Sequence, residues 1–276
     1  MLDLYAREWE GKALTDDEFV ISADEKTSIQ ARRRKHATDK CRPGTPMRVE
    51  HEYTGCGAWA YIAGLDVHHA RIFGRCETKN GIDPFDRLVE QVMTRPPYND
   101  ARRVFWIVDN CSAHRGLRAV QPLRNRYSQL TLVHAPIHAS WLHQIEIYFS
   151  IVQRKVLTPD HFPDLNSVAQ RLLNFRYYWE DKAKPFEWKF TRKDLAELLG
   201  KIGNPCCPQE PLIWLRFCKS TTVLLSWQKK ILFSEALYKR VPRLDQDLLT
   251  PLRVRTNAGH HRHFQPPKLV LPTMNR

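Results

Sequence analysis

The chain has 276 residues, with 43 Lys+Arg against 30 Asp+Glu, a formal net charge of +13 and a pI near 9.5. Hydrophobic content of 42% and charged content of 26% exclude wholesale disorder, and no apolar run nears the roughly 20 residues of a membrane-spanning helix. Charge of this sign and size points to a polyanionic partner, nucleic acid first.

The N-terminal stretch MLDLYAREWEGK lacks a basic-then-apolar leader pattern, so the chain is expected in the cytosol. Phe19–Ala23 is a short apolar run that stops at Asp24, with Ser28–Ala31 as its expected hairpin partner. Trp59–Leu65 and Ala70–Gly74 read as strands around the polar turn Asp66–His69. In Pro84–Met93 the residues Phe85, Leu88, Val89 and Val92 fall at helical spacing, with Pro84 suited to a first turn. Val104–Val108 is a continuous apolar run, as a buried central strand requires, and it stops at Asp109. A helix over Leu117–Tyr127 and a strand over Leu130–His134 follow.

Pro136 breaks the chain before a helix whose stripe of Leu142, Ile145, Phe149, Val152 and Val156 steps by 3, 4, 3 and 4. Asn166–Trp179 forms another helix, and Thr191 caps a last one over Lys193–Leu199, with Asp194 in its first turn. Strands first, then strand and helix in alternation, predict an α/β fold: a mixed sheet flanked by helices.

The pattern changes near Gly203. Residues 204–276 hold 8 of the 18 prolines and 12 Lys+Arg against 4 Asp+Glu, leaving only +5 of the net charge to residues 1–203. Ser220–Leu237 is compatible with a helix, and beyond Val241 the composition is that of a poorly ordered basic tail. Two domains are therefore expected, 1–203 and 204–276. The seven cysteines include no C-x-x-C pair, vicinal Cys206–Cys207 is too tight for ordinary zinc ligation, and His260, His261 and His263 have no cysteines at finger spacing. Reduced thiols and no structural zinc are expected.

Three acids stand out. Asp24 and Asp109 each follow a buried-looking apolar run, a costly place for an unpartnered charge, and Glu146 borders the apolar stripe of its helix. Carboxylates at the ends of neighbouring strands, joined by a third from a packed helix, are what two hard Mg²⁺ ions about 4 Å apart need for phosphoryl transfer. Taken singly, each has a structural reading: Asp24 a turn or cap, Asp109 an Asx-turn with Asn110 and His114, Glu146 a helix-face ion pair.

The blocks ADEKTSIQAR around Asp24, WIVDNCSAH around Asp109 and ASWLHQIEIYFSIVQRKVL around Glu146 resemble the signature blocks of bacterial insertion-sequence transposases in the mariner-like branch of the DDE superfamily. PFEWKFTRKDLAELL at Pro185–Leu199 resembles the end of such enzymes, so the similarity runs from about Leu2 to Ile202. The resemblance implies a ribonuclease-H-like core in which Asp24, Asp109 and Glu146 hold two Mg²⁺ (or Mn²⁺) ions. It also implies hydrolysis at transposon ends, attack of the freed 3′-hydroxyl on target DNA, a homodimer on double-stranded DNA, and a place on the bacterial nucleoid. Asn110 and His114 match the family's Asp-Asn-x-x-x-His pattern, either orienting a metal-bound water or phosphate or closing the loop. Trp141 and Gln144 are expected to lock the loop and helix that aim Glu146, and His143 stands where the family usually has Asn. The cluster Lys26, Arg32, Arg33, Arg34 and Lys35 is read as DNA-backbone contact or as a solvated charge run, with Arg154 and Lys155 as weaker candidates. Relatives carry N-terminal helix-turn-helix modules, which this chain is expected to lack, beginning almost at the first block. The region 204–276 is expected to be a read-through or frameshifted ending. The competing functions are a metal-dependent endonuclease without strand transfer and an inactive DNA-binding remnant.

Overall fold

Alternate apolar residues set the two central strands. Phe19, Ile21 and Ala23 share one face with Val104, Trp106 and Val108, while Val20 shares the other with Phe105 and Ile107. The computed structural model describes residues 1–203 apart from 138, 159 and 160. The expected helix at Ser220–Leu237, the basic tail and the domain boundary's far side lie outside the described residues.

A short helix α1 (Leu2–Tyr5) and a small hairpin of β1 (Glu8–Trp9) and β2 (Lys12–Ala13) precede β3 (Glu18–Arg34). There follow β4 (Tyr53–Asp66), β5 (Ile72–Glu77), α2 (Ile82–Met93), β6 (Arg103–Val108), α3 (Leu117–Arg126) and β7 (Leu130–His134). Three helices complete the described residues: α4 (Ile145–Val152), α5 (Leu165–Lys182) and α6 (Arg192–Gly203). The five-stranded sheet runs β5-β4-β3-β6-β7, antiparallel across β5, β4 and β3 and parallel across β3, β6 and β7. This mixed sheet flanked by helices is the ribonuclease-H-like arrangement that the sequence blocks imply. Among the described residues no helix is long and apolar enough to cross a membrane.

On one face α2 presents Phe85, Leu88, Val89 and Val92 to Ile21, Ile62 and Trp106, and α3 adds Leu123. On the other face, Leu4 and Tyr5 of α1 cover Val20, Phe105 and Ile107. There Tyr148 of α4 meets Phe175 and Trp179 of α5, and its hydroxyl lies 3.2 Å from that of Tyr61 on β4. Gly74 on β5 must be glycine because the Tyr61 ring lies across it and leaves no room for a Cβ. Asp164 caps α5 through Ser167 N at 2.7 Å, and Thr191 and Asp194 cap α6 reciprocally.

Three expectations need correction. Ser28–Ala31 is not a hairpin partner of Phe19–Ala23; both belong to the single strand β3, paired to β4. The polar stretch between Asp24 and Ile29 holds a bulge with Ser28 at φ 58°, after which Ile29 and Ala31 are buried again. Asp24 therefore lies inside a strand rather than at its end. The stripe from Leu142 to Val156 is likewise not one α-helix: Ser140–Leu142 is a 3₁₀ turn, α4 begins at Ile145, and Gln153–Leu157 is a π turn. Finally, Ala70 is a turn residue at φ 58°, so β5 starts at Ile72.

Asp66, at the end of β4, is 1% exposed and fully partnered. It accepts from His68 N and His69 N at 3.2 Å and from Tyr98 Oη at 2.7 Å, and lies 3.0 Å from His69 Nδ1. Tyr98→Phe removes a hydrogen bond to a charged acceptor and is expected to cost about 2 kcal/mol. Urea unfolding measures this; an unchanged midpoint would show that the hydroxyl contributes nothing.

Candidate active site

The parallel register of β3 and β6 runs to the pair Ser22 and Ile107, and Asp24 and Asp109 each lie two residues beyond that pair. Glu146 arrives in the first turn of α4. That turn is aimed by contacts from distant segments. Tyr5 Oη donates to Leu142 O at 3.1 Å and accepts from Gln144 N at 3.3 Å, and Ser22 Oγ accepts from Ile145 N at 3.2 Å.

Asp24 and Asp109 each have a histidine partner. Asp24 Oδ1 accepts from Glu25 N at 2.7 Å, and Oδ2 lies 3.2 Å from Nδ1 of His143. His143 is buried, and its Nε2 reaches Ile107 O at 3.0 Å. Asp109 Oδ1 meets His114 Nδ1 at 2.7 Å and accepts from Cys111 N at 3.0 Å. The hydrogen bond from His114 is the main reason that the Asp109 carboxyl is held well below the usual carboxylate range. Burial opposes charge on His114, but Asp109, Cys111 and Glu25 outweigh it and push the imidazole up to about 11. Glu146 reaches solvent, yet the protein around it and the nearby Asp24 charge raise its pKa, against the opposing influence of His143 and Lys26. Asp24 and Glu146 are thus in electrostatic contact, with Lys26 beside them.

Asn110 donates its side-chain amide to Ala135 O, closing the loop after β6 onto the end of β7. His134 Nε2 contacts His114 O at 2.9 Å and ties the same loop from the other side. Trp141 packs edge-on against Phe190 at 5.2 Å. Gln144 is buried, but its side-chain amide makes no hydrogen bond to protein, so it is the backbone of this residue that pins the turn. The basic residues string along β3 and beyond it rather than forming one compact patch. Arg32 reaches Gln30 at 2.7 Å, Arg34 bonds Thr38 and lies over the Tyr53 ring, and Lys35 pairs with Glu52 at 2.6 Å. Arg33 is exposed, and Arg154 and Lys155 stand on the π turn.

Tyr5, Glu25 and His143 were not singled out by pattern. Glu25 adjoins Asp24 in the first block, and His143 is two residues before Ile145, so both were within reach of a search for polar residues flanking the acids. Tyr5 carries no such signal. The donors at Asp24, Asp109 and Glu146 are carboxylate oxygens, the set suited to a hard divalent cation.

The model for the family described as DDE superfamily endonuclease matches residues 20–169, 150 of the 276. Among solved structures, a Mos1 mariner paired end complex with Mn is similar at 15% identity and a TM-score of 0.47, over 72% of this chain and 57% of that chain. A pre-cleavage Mos1 transpososome follows at 14% and 0.42, over 66% and 55%. The HTLV-2 integrase catalytic core domain in complex with magnesium stands at 12% and 0.33, over 59% and 88%. The chain spans little more than half the length of the Mos1 chains it matches. No curated protein matches it.

Proposed function

The chain belongs to the DDE superfamily of endonucleases, and we propose that it is a transposase whose Asp24, Asp109 and Glu146 carry metal-dependent DNA cleavage and strand transfer. What supports this reading most is the placement of Asp24 on β3 and Asp109 just beyond the paired strand β6, with Glu146 in the first turn of α4 in electrostatic contact with Asp24. The oxygen-only donor set fits Mg²⁺ or Mn²⁺. Two such ions held there would activate the attacking hydroxyl and stabilise the leaving oxygen.

The chain's own residues prepare that chemistry. His114 keeps Asp109 ionised and fixed in orientation, and His143, anchored on Ile107 O, fixes the orientation of Asp24. The raised pKa of Glu146 reflects crowded negative charge, which a cation would relieve. Lys26 lies at the site and meets a phosphate, while Arg32, Arg33, Arg34 and Lys35 continue along β3 as backbone contacts to double-stranded DNA. In the first reaction water adds to phosphorus as the P–O3′ bond breaks, releasing a 3′-hydroxyl. In the second that hydroxyl adds to a target phosphodiester and displaces its own 3′-oxygen. A homodimer on DNA would bring two ends together.

The purified protein, Mg²⁺ or Mn²⁺, a labelled duplex carrying the inverted repeats that flank the gene and a plasmid target test this. Joined product is expected. Nicking without joining would reduce the chain to an endonuclease, and binding without cleavage to a remnant. Chelation is expected to abolish both steps, and DNA affinity to fall steeply with added salt. An affinity indifferent to salt would contradict backbone recognition through these basic residues.

A further inference from the structure

Glu25 and His114 form a contact that the proposed chemistry does not use. The His114 side chain is 0% exposed and that of Glu25 only 6%, with Glu25 Oε1 and His114 Nε2 3.2 Å apart. The two atoms approach without hydrogen-bond alignment, and neither has any other hydrogen-bond partner. A carboxylate oxygen and a ring nitrogen withdrawn from water and left in this way are costly, and such a pair calls for a third group between or beside them. Cys111 is the nearest soft donor: its Sγ lies 3.3 Å from Nδ1, the ring nitrogen that also meets Asp109, and one donor atom from each of Glu25, Cys111 and His114 falls within 4.8 Å of the others.

We propose that Glu25, Cys111 and His114 form a site for a thiophilic divalent cation of the Zn²⁺ class, separate in chemistry from the oxygen site of the three acids. A thiolate and an imidazole nitrogen are soft to borderline donors that Mg²⁺ does not select, whereas Zn²⁺ and Co²⁺ take them together with a carboxylate. Bond lengths of about 2.0–2.3 Å to such an ion put tetrahedral donors about 3.4–3.7 Å apart. An ion there would require the Glu25 and Cys111 side chains to turn toward it, and both of these residues are less enclosed than His114. Three protein donors leave a fourth position for water. The motif is invisible as a zinc pattern because only Cys111 and His114 are near in sequence; β3 brings Glu25 from 86 residues away. Since His114 also holds Asp109, an ion here would act directly on the surroundings of that acid. The site stands on donor geometry and does not depend on the transposase reading.

Titration of the full-length protein with Co²⁺ tests it, read by the thiolate-to-cobalt charge-transfer absorption and repeated with Zn²⁺ as competitor. One equivalent with a thiolate signature, displaced by Zn²⁺, is expected. Cys111→Ser, near-isosteric, should lose the signature while circular dichroism stays unchanged, and Glu25→Gln should weaken binding by about tenfold or more. Cys76→Ser serves as control and should retain the signature. No signature in the parent chain, or one that survives Cys111→Ser, overturns the proposal, and neither outcome bears on DNA cleavage.

Discussion

Asp109→Asn is expected to lower the single-turnover rate of Mg²⁺-dependent DNA cleavage by about a thousandfold, equivalent to about 4 kcal/mol in the barrier. The substitution keeps the shape and the hydrogen bond from Cys111 N, but removes the charge that a cation and His114 both require. The fold should survive, because Asp109 lies beyond the last residue of β6 and its side chain is 39% exposed. The same exchange carries a pH signature. A carboxyl held well below its ordinary value contributes stability that is present above the unfolded pKa, about 3.9, and is lost as pH falls toward the folded value. From the imidazole's side, a pKa raised to about 11 contributes stability that is full below about 6.5 and is lost as pH rises through 11. These describe one interaction seen from two partners and count once. Parent and variant should therefore differ in urea midpoint near neutrality and converge in acid. Cleavage within tenfold of the parent rate would remove Asp109 from the chemistry.

Phe85→Ala is expected to cost about 3–5 kcal/mol of stability. Phe85 is 1% exposed on the buried stripe of α2, edge-on to Trp106 at 5.9 Å and to His114 at 4.2 Å. Its removal opens a cavity between α2 and the central strands, in a region where no side chain is free to fill it. The loss extends to the candidate site, since the ring is one wall of the slot that orients His114 toward Asp109. Cleavage at temperatures where the variant remains folded should thus fall as well, by about tenfold to a hundredfold. Phe85→Leu keeps most of the volume and should lose less on both measures. Urea unfolding at unchanged slope gives the stability difference; a value under about 1 kcal/mol would mean that the helix closes the gap.

Where the fold was legible, one physical signal was enough. β7, a half-buried edge strand, was read to the residue, and β6 to within one, because its continuous apolar run bounded by polar residues has no competing interpretation in a buried parallel strand. α2 was legible from the spacing of Phe85, Leu88, Val89 and Val92. The continuity of β3 was not, because the bulge between Lys26 and Ile29 interrupts the alternation and looks like a turn, although Ile29 and Ala31 beyond it are buried. The break-up of the helix around Glu146 was not legible either. A 3₁₀ turn, an α-helix and a π turn can share one apolar stripe, and the choice among them is made by Ser22 and Tyr5, distant residues that hold the turn in place. The acids of the candidate site stood out as charges directly after, or beside, buried runs. Of their histidine anchors, His114 stood out through the Asp-Asn-x-x-x-His pattern, but the pairing of His143 with Asp24 did not, since it spans 119 residues and exists only once β3 and the turn before α4 are packed.

The central claim is that Asp24, Asp109 and Glu146 together hold the catalytic cation. Titration of the protein with Mn²⁺, followed by water-proton relaxation, tests it without any DNA. The account predicts saturable binding in the parent chain and a loss of affinity of about a hundredfold or more in each of Asp24→Asn, Asp109→Asn and Glu146→Gln, all with folded circular dichroism spectra. Parent-like Mn²⁺ affinity in all three variants would contradict it.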